Sequence, residues 1–301
     1  METEFILERN VTDVKRNYDS ICCFRSRDSS IDKRVCWEIT TDCNLGCEFC
    51  HRYDHLSEYY DVSDLEKTIE IFLENKITNV ILSGGEPLLH PQFFEILKKL
   101  HSHNFSIDIC TNGTLLTDEN IKELRKYISE ISVSLDSYTS IRHDSMRKTP
   151  GAFSKTCKNI DKLIECGFDV HITTVVDCEF ASHIKQMTKY LYEKGIKSVA
   201  YLGLIPLDTG KNDLFEADCQ HIIFEQISEV RKRYPDMAIN TKQLLLKSGC
   251  VCGAGRYVFG MGVDGDVLHP CLLTRERSSK VRNDTSPGLC PGSRYLTQKG
   301  V

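Results

Sequence analysis

The chain has 301 residues, of which 41% are apolar and 27% charged, and its formal net charge is -5. That balance belongs to an ordinary globule with enough chain to bury a large core, and it excludes a disordered chain, a small stapled scaffold and a basic nucleic-acid-binding surface. No apolar run approaches the roughly 18 residues of a membrane span, and residues 1–30 hold no signal-peptide core. The expected address is the cytoplasm, with neither membrane nor nucleic acid as a partner.

Residues 1–33 read as a polar N-terminal arm. Short β-branched runs then alternate with longer amphipathic stretches. Strands are predicted at 34–40, 79–83, 106–110, 130–135, 169–176 and 198–204, and helices at 62–75, 91–103, 118–127, 152–166, 181–194 and 215–234. Six βα units of this kind predict an α/β fold, a parallel sheet with helical crossovers. After Pro235 the helical periodicity fades and Gly and Cys become dense. A boundary near Asn240 separates a main domain, 34–239, from a small Cys-rich unit, 240–301, too short to build its own core and expected to be organised by a metal site.

Fifteen cysteines in a chain without an export signal argue for metal or redox chemistry over disulfides. Cys36, Cys110, Cys157, Cys166, Cys178 and Cys219 stand singly in periodic segments and read as small buried hydrophobes. Cys22 and Cys23 receive no role. Cys43-Asn-Leu-Gly-Cys47-Glu-Phe-Cys50 is different: three thiols sit in a short loop directly after the first strand, with Gly46 permitting the tight path. Thiolates so spaced suit an iron–sulfur cluster, and three ligands for a cluster that takes four leave one iron open to an amine and a carboxylate. Zinc, with His51 or His55 as fourth ligand, is the competing reading.

Further polar motifs close the next strands. Ser83-Gly84-Gly85-Glu86-Pro87 lets the backbone approach a ligand, with Glu86 or exposed carbonyls able to accept from an ammonium group. Thr111-Asn112-Gly113 and Ser134-Leu135-Asp136 follow the third and fourth strands, where an ordinary turn and helix cap are the plainer readings. Arg147 offers a guanidinium suited to a carboxylate, or to a surface salt bridge. Ligands of such sheets gather at the C-terminal strand ends.

Together these motifs resemble the radical S-adenosylmethionine (SAM) superfamily, with Phe49 in the aromatic position before the last cysteine and residues 83–87 as the GGEP segment. The resemblance implies a partial (β/α)6 TIM-like barrel with a [4Fe–4S] cluster on Cys43, Cys47 and Cys50. It further implies SAM bound at the open iron and contacted by Gly84, Gly85, Glu86, Pro87, Asn112, Ser134 and Asp136, with Arg147 near its methionine carboxylate. The run Cys250-Val-Cys252-Gly-Ala-Gly, followed by a hairpin turn at Asp264-Gly265 and by Pro270-Cys271, resembles the SPASM and twitch auxiliary-cluster units. A second cluster on Cys252, Cys271 and Cys290 is then expected, with Cys250 either a fourth ligand or a catalytic thiol that returns a hydrogen atom. Asp208, Glu216 and Tyr201 are pocket candidates, although solvated charge is the plainer reading.

The activity so implied is reductive cleavage of SAM to a 5′-deoxyadenosyl radical and hydrogen abstraction from a substrate, with a flavodoxin or ferredoxin as electron donor. An epimerase or dehydrogenase of a small molecule such as an amino sugar is expected, because the 33-residue arm is short for a peptide-binding domain. Maturation of a ribosomally made peptide is the alternative. A non-catalytic iron–sulfur electron carrier would not need Gly84 to Pro87, Asn112 or Asp136.

Overall fold

A computed structural model describes residues 33–47, 49–50, 57–204, 217–241 and 257–269. Eight strands run through these residues: β1 (Lys33–Glu38), β2 (Ile77–Ser83), β3 (Ser106–Thr111), β4 (Glu130–Ser134), β5 (Asp169–Val176), β6 (Ser198–Gly203), β7 (Ala238–Asn240) and β8 (Val258–Met261). They form one parallel sheet in the order β7-β6-β5-β4-β3-β2-β1-β8. The sheet is open and curled, a partial barrel. The helices are α1 (Leu65–Glu74), α2 (Phe93–Ser102), α3 (Asp118–Leu124), α4 (Ser140–Arg147), α5 (Ala152–Glu165), α6 (Ile184–Glu193) and α7 (Ala217–Arg233). Among the described residues no helix is long and apolar enough to cross a membrane.

Strand alternation sets the layers. In β5, Val170, Ile172, Thr174 and Val176 are buried while the residues between them are exposed or half-buried, a period of two with one face against the helices. The helices answer with a period near 3.6: α2 buries Phe93, Ile96, Leu97 and Leu100, and α6 buries Ile184, Met187, Thr188 and Leu191. Each such aliphatic or aromatic side chain contributes about 1.5–3 kcal/mol of burial. Trp37 of β1 is fully buried in this layer, edge-on to Tyr60 at 4.6 Å and to Phe72 at 5.5 Å. The opposite, concave face carries polar or small side chains such as Asp108, Cys110, Ser132 and Thr173, all only partly buried.

The six expected βα units are present, and α4, β7, β8 and three short 3-10 turns accompany them among the described residues. The sequence boundary near Asn240 falls between β7 and β8, two strands of the same sheet. β8 pairs with β1 from Arg34↔Val258 to Trp37↔Met261. The chain then reverses at Asp264 and Gly265, where the sequence places a hairpin turn, and His269 pairs back with Gly260. Gly265 has φ +65, and a Cβ there would lie 2.2 Å from the Tyr60 ring. Its carbonyl accepts the Thr68 hydroxyl of α1 at 2.7 Å.

Gly265→Ala therefore sets a side chain against a buried ring in a conformation that L-residues rarely adopt. A loss of about 1–3 kcal/mol in urea unfolding is expected. Hydrogen exchange should quicken at residues 258–261 while β3 to β5 keep their protection.

Candidate active site

The three cysteines follow β1 on a loop whose described start, residues 40–43, is held by its own polar atoms and by residues 58 and 59. Thr40 pairs with Tyr59 in an isolated antiparallel bridge. The Thr40 hydroxyl donates to the Glu58 carbonyl at 2.8 Å and accepts from the Asp42 amide at 3.0 Å. Asp42 in turn accepts from the Cys43 amide at 2.9 Å and from the Tyr59 hydroxyl at 2.6 Å. The glycine segment after β2 clamps this stretch from the other side. The Gly85 amide donates to the Thr40 carbonyl at 2.8 Å, and the Glu86 amide to the Asp42 carbonyl at 2.7 Å. A Cβ on Gly84, which has φ +140, would lie 2.2 Å from the Thr40 carbonyl oxygen, so only glycine allows this approach.

Glu86 is fully buried, and its carboxylate is used inside the chain. It accepts from the Thr111 hydroxyl and the Asn112 amide, both at 2.7 Å, and from the Leu88 amide at 3.3 Å, which caps the short 3-10 turn Pro87–Leu89. Burial pushes its carboxyl up to about 7 against those donors. The Asn112 side chain donates to Asn44 at 2.9 Å and accepts from the Thr114 amide at 2.8 Å, tying the β3 loop to the cysteine loop. Ser134 ends β4 with its hydroxyl 3.4 Å from that of Thr173.

Asp136, two residues beyond Ser134, is completely buried. One carboxylate oxygen meets the Arg147 Nε at 2.6 Å and the other accepts the Val175 amide at 3.0 Å. Its own amide donates to His143 Nδ1 at 3.1 Å. Burial pushes that imidazole down to about 4 despite the nearby carboxylate, which leaves it neutral and able to accept. Arg147 closes α4 and turns its guanidinium onto the cysteine loop: Nη1 lies 3.6 Å from Cys47 Sγ, and Cζ lies 5.3 Å from the centre of the Phe49 ring. The Arg147 carbonyl accepts the Gly46 amide at 3.3 Å. Burial works against the Arg147 charge, but Asp136 and Cys47 outweigh it and keep the guanidinium protonated. Burial raises the Cys47 thiol, and Arg147 opposes that rise.

Cys43, Cys47 and Phe49 are half-buried and Cys50 is exposed. Cys43 Sγ accepts the Leu45 amide at 3.5 Å. Among the described residues no three His, Cys, Asp or Glu side chains converge to hold a single metal ion, but a cluster of several irons takes one thiolate per iron and does not require that convergence. A loop with three thiols, an amide and a guanidinium directed at two of the sulfurs, and a wall of strand ends suits such a group.

The expected residues that the structure describes from Cys43 to Asp136 lie at or just beyond the C-terminal ends of β1 to β4, and Arg147 lies at the end of α4, which follows β4. Cys250, Cys252, Cys271 and Cys290 lie outside the described residues, as do His51, His55, Asp208 and Glu216. Tyr201 corrects an expectation. It is fully buried on the helix side of β6, with its hydroxyl 2.7 Å from that of Thr188 on α6, so strand alternation turns it away from the concave face. Cys166 and Cys178 are exposed, because they follow the ends of α5 and β5 rather than pack inside them, and Cys110 is only partly buried on the concave face. Thr40, Asp42, Asn44 and His143 went unread. Neighbourhood to a motif was the available signal for the first three, and for His143 its place four residues before Arg147.

An open parallel half-barrel with a three-thiol loop at its strand ends defines a class of cluster-bearing α/β proteins. Residues 37–191, just over half of the chain, match the family model of the Radical SAM superfamily. The chain belongs to that superfamily and has the architecture of its catalytic domain. It is 26% identical over 220 residues to an AdoMet-dependent heme synthase of Oleidesulfovibrio alaskensis, covering 72% of this chain and 55% of that one. It is 28% identical over 244 residues to the antilisterial bacteriocin subtilosin biosynthesis protein AlbA of Bacillus subtilis, covering 79% and 54%. This chain thus spans about half the length of these curated relatives. The fold is similar to that of Streptococcus suis SuiB bound to S-adenosylmethionine, with a TM-score of 0.70 at 18% identity, covering 83% of this chain and 63% of that one. SuiB bound to its precursor peptide SuiA gives a TM-score of 0.67 at 18% identity, covering 87% and 64%.

Two outcomes follow from this geometry. Gly84→Ala should push the Thr40–Asp42 backbone away and lower the iron retained after anaerobic reconstitution several-fold, read by metal analysis, while far-ultraviolet dichroism stays unchanged. Glu86 sets a slope of stability on pH. Its folded carboxyl ionises at about 7 against 4.5 for the ordinary side chain, so the folded chain binds the extra proton between those values. The contribution of this group falls as pH rises through that window. In Glu86→Gln that part of the slope should vanish, as read by thermal unfolding from about pH 5 to about pH 7.5.

Proposed function

We propose that this chain cleaves S-adenosylmethionine reductively at a [4Fe–4S] cluster on Cys43, Cys47 and Cys50, and that it uses the resulting radical to take a hydrogen atom from a substrate. The observation that carries the reading is the fixed cysteine loop at the mouth of the half-barrel, in a chain of the radical SAM superfamily. When bound, the cluster supplies the single electron that breaks the SAM sulfonium bond to give a 5′-deoxyadenosyl group with an unpaired electron. The chain's own residues do the holding. The clamp of Gly84, Gly85 and Glu86 fixes the loop, and Arg147 meets the Cys47 sulfur. Asn112 and Ser134 stand at neighbouring strand ends, where a nucleoside can be held. The concave face below confines the substrate and keeps competing hydrogen donors out.

Maturation of a ribosomally made peptide is the better supported substrate class. The likeness to SuiB in complex with a precursor peptide and the match to AlbA over most of this chain both favour it over the amino-sugar reading. Modification of a small molecule is the second reading, favoured by the heme synthase relative. A second cluster in the C-terminal unit belongs to the same proposal, with Cys252, Cys271 and Cys290 as ligands and Cys250 as ligand or hydrogen donor. The docked turn from Gly260 to His269 leads directly to Cys271 and supports it. A flavodoxin or ferredoxin is the matching electron donor.

Anaerobically reconstituted protein with SAM and dithionite should yield 5′-deoxyadenosine by mass spectrometry, and Cys43→Ala should yield none. Production of that nucleoside by a cluster-free Cys43→Ala variant would sink the reading. Co-expression with a short peptide encoded beside the gene should shift the peptide's mass or incorporate deuterium from deuterated water, whereas an unchanged peptide favours the small-molecule alternative.

A further inference from the structure

Resting on that reading, we propose that Arg147 and Asp136 form a buried charge couple that tunes the electron affinity of the cluster at Cys47, with Arg147 as the tuning residue and Asp136 as its opposing charge.

Three contacts fix where the Arg147 charge sits. Its Nε is 2.6 Å from the Asp136 carboxylate, its Nη1 is 3.6 Å from Cys47 Sγ, and its Cζ lies over the Phe49 ring, 5.3 Å from the centre. Side-chain exposure is 10% for Arg147 and 0% for Asp136, so water does not screen the pair as it would on the surface. Asp136 is held by the Val175 amide at its other oxygen, and the Arg147 backbone holds the Gly46 amide. Asp136 is therefore anchored on both oxygens, and it holds the guanidinium whose Nη1 reaches the Cys47 sulfur. The two buried side chains of α4 are His143 and Arg147, one turn apart, so this helix faces the site with them.

The step concerned is transfer of one electron from a reduced flavodoxin- or ferredoxin-type donor, which is oxidised as the cluster is reduced. No bond forms or breaks and no proton moves. Reduction adds one negative charge beside Cys47. A guanidinium with an N–H directed at the sulfur favours that charge, and a carboxylate behind the guanidinium offsets part of the effect. Removal of each member should therefore move the midpoint potential in opposite directions. A merely structural role would not produce opposite signs.

The test uses full-length, anaerobically reconstituted protein, with the midpoint potential read by redox titration of the reduced-cluster electron paramagnetic resonance signal. Iron and sulfide content serves as the loading control. Arg147→Gln should shift the potential negative, Asp136→Asn should shift it positive, and Arg147→Lys, which keeps the charge, should lie closer to wild type than Arg147→Gln. Shifts of the same sign, or no shift in loaded variants, overturn the proposal. Each variant carries its own predicted sign, so if one fails to load, the other still decides. Wild-type protein that takes up no cluster at all overturns the functional reading and this inference with it.

Discussion

The buried pair of Asp136 and Arg147 is the constraint around which the site is arranged. A carboxylate without solvent exposure and a nearly buried guanidinium are tolerable only as partners, since stripping either of its counter-charge in such a place costs about 3–5 kcal/mol. The pair also exceeds a simple ion pair, because each member has spare bonding capacity that is spent on a different element. Asp136 takes an amide of β5 and Arg147 takes the cysteine loop, so β4, β5, α4 and the loop after β1 are held by one contact. Loss of geometry at any of the four elements would be felt at the thiols.

A second junction works without charge. Parallel strands put every β-to-α loop at the same end of the sheet, and adjacent strands bring the loops after β1 and β2 side by side. There the absence of a side chain at Gly84 lets two backbones meet directly through amide-to-carbonyl bonds. Glu86 then reaches from the same segment to β3. The glycine and the glutamate of one short motif thus do different work: one admits the neighbouring loop and the other fastens the next strand.

Much of this was legible in the sequence, for identifiable reasons. The βα alternation survives because each strand and helix has one apolar face, so the period shows. The chemistry survives because the three cysteines and the glycine segment are contiguous. What did not survive is pairing between distant residues. Glu86 and Asp136 read as groups offered to a ligand, yet their oxygens are bonded to Thr111, Asn112, Val175 and Arg147. The α4 sequence Ser-Ile-Arg-His-Asp-Ser-Met-Arg has no apolar stripe, because its buried positions are His143 and Arg147 while Ile141 is 85% exposed. β7 and β8 are three and four residues long, too short for alternation to register, and β8 contains a glycine. Tyr201 was misplaced because a tyrosine near a strand end looks like a pocket residue until the side of the sheet is known.

The pairing of β8 with β1 has a bearing on how the protein is made. The strand that launches the cysteine loop receives one neighbour from β2 early in synthesis, but its other edge waits for Val258 to Met261. Without that segment, the folded β1 would present an open, apolar edge at Val35 to Trp37, the kind that recruits foreign strands. Capture of the late strand thus seals the edge of the strand that carries the cysteine loop.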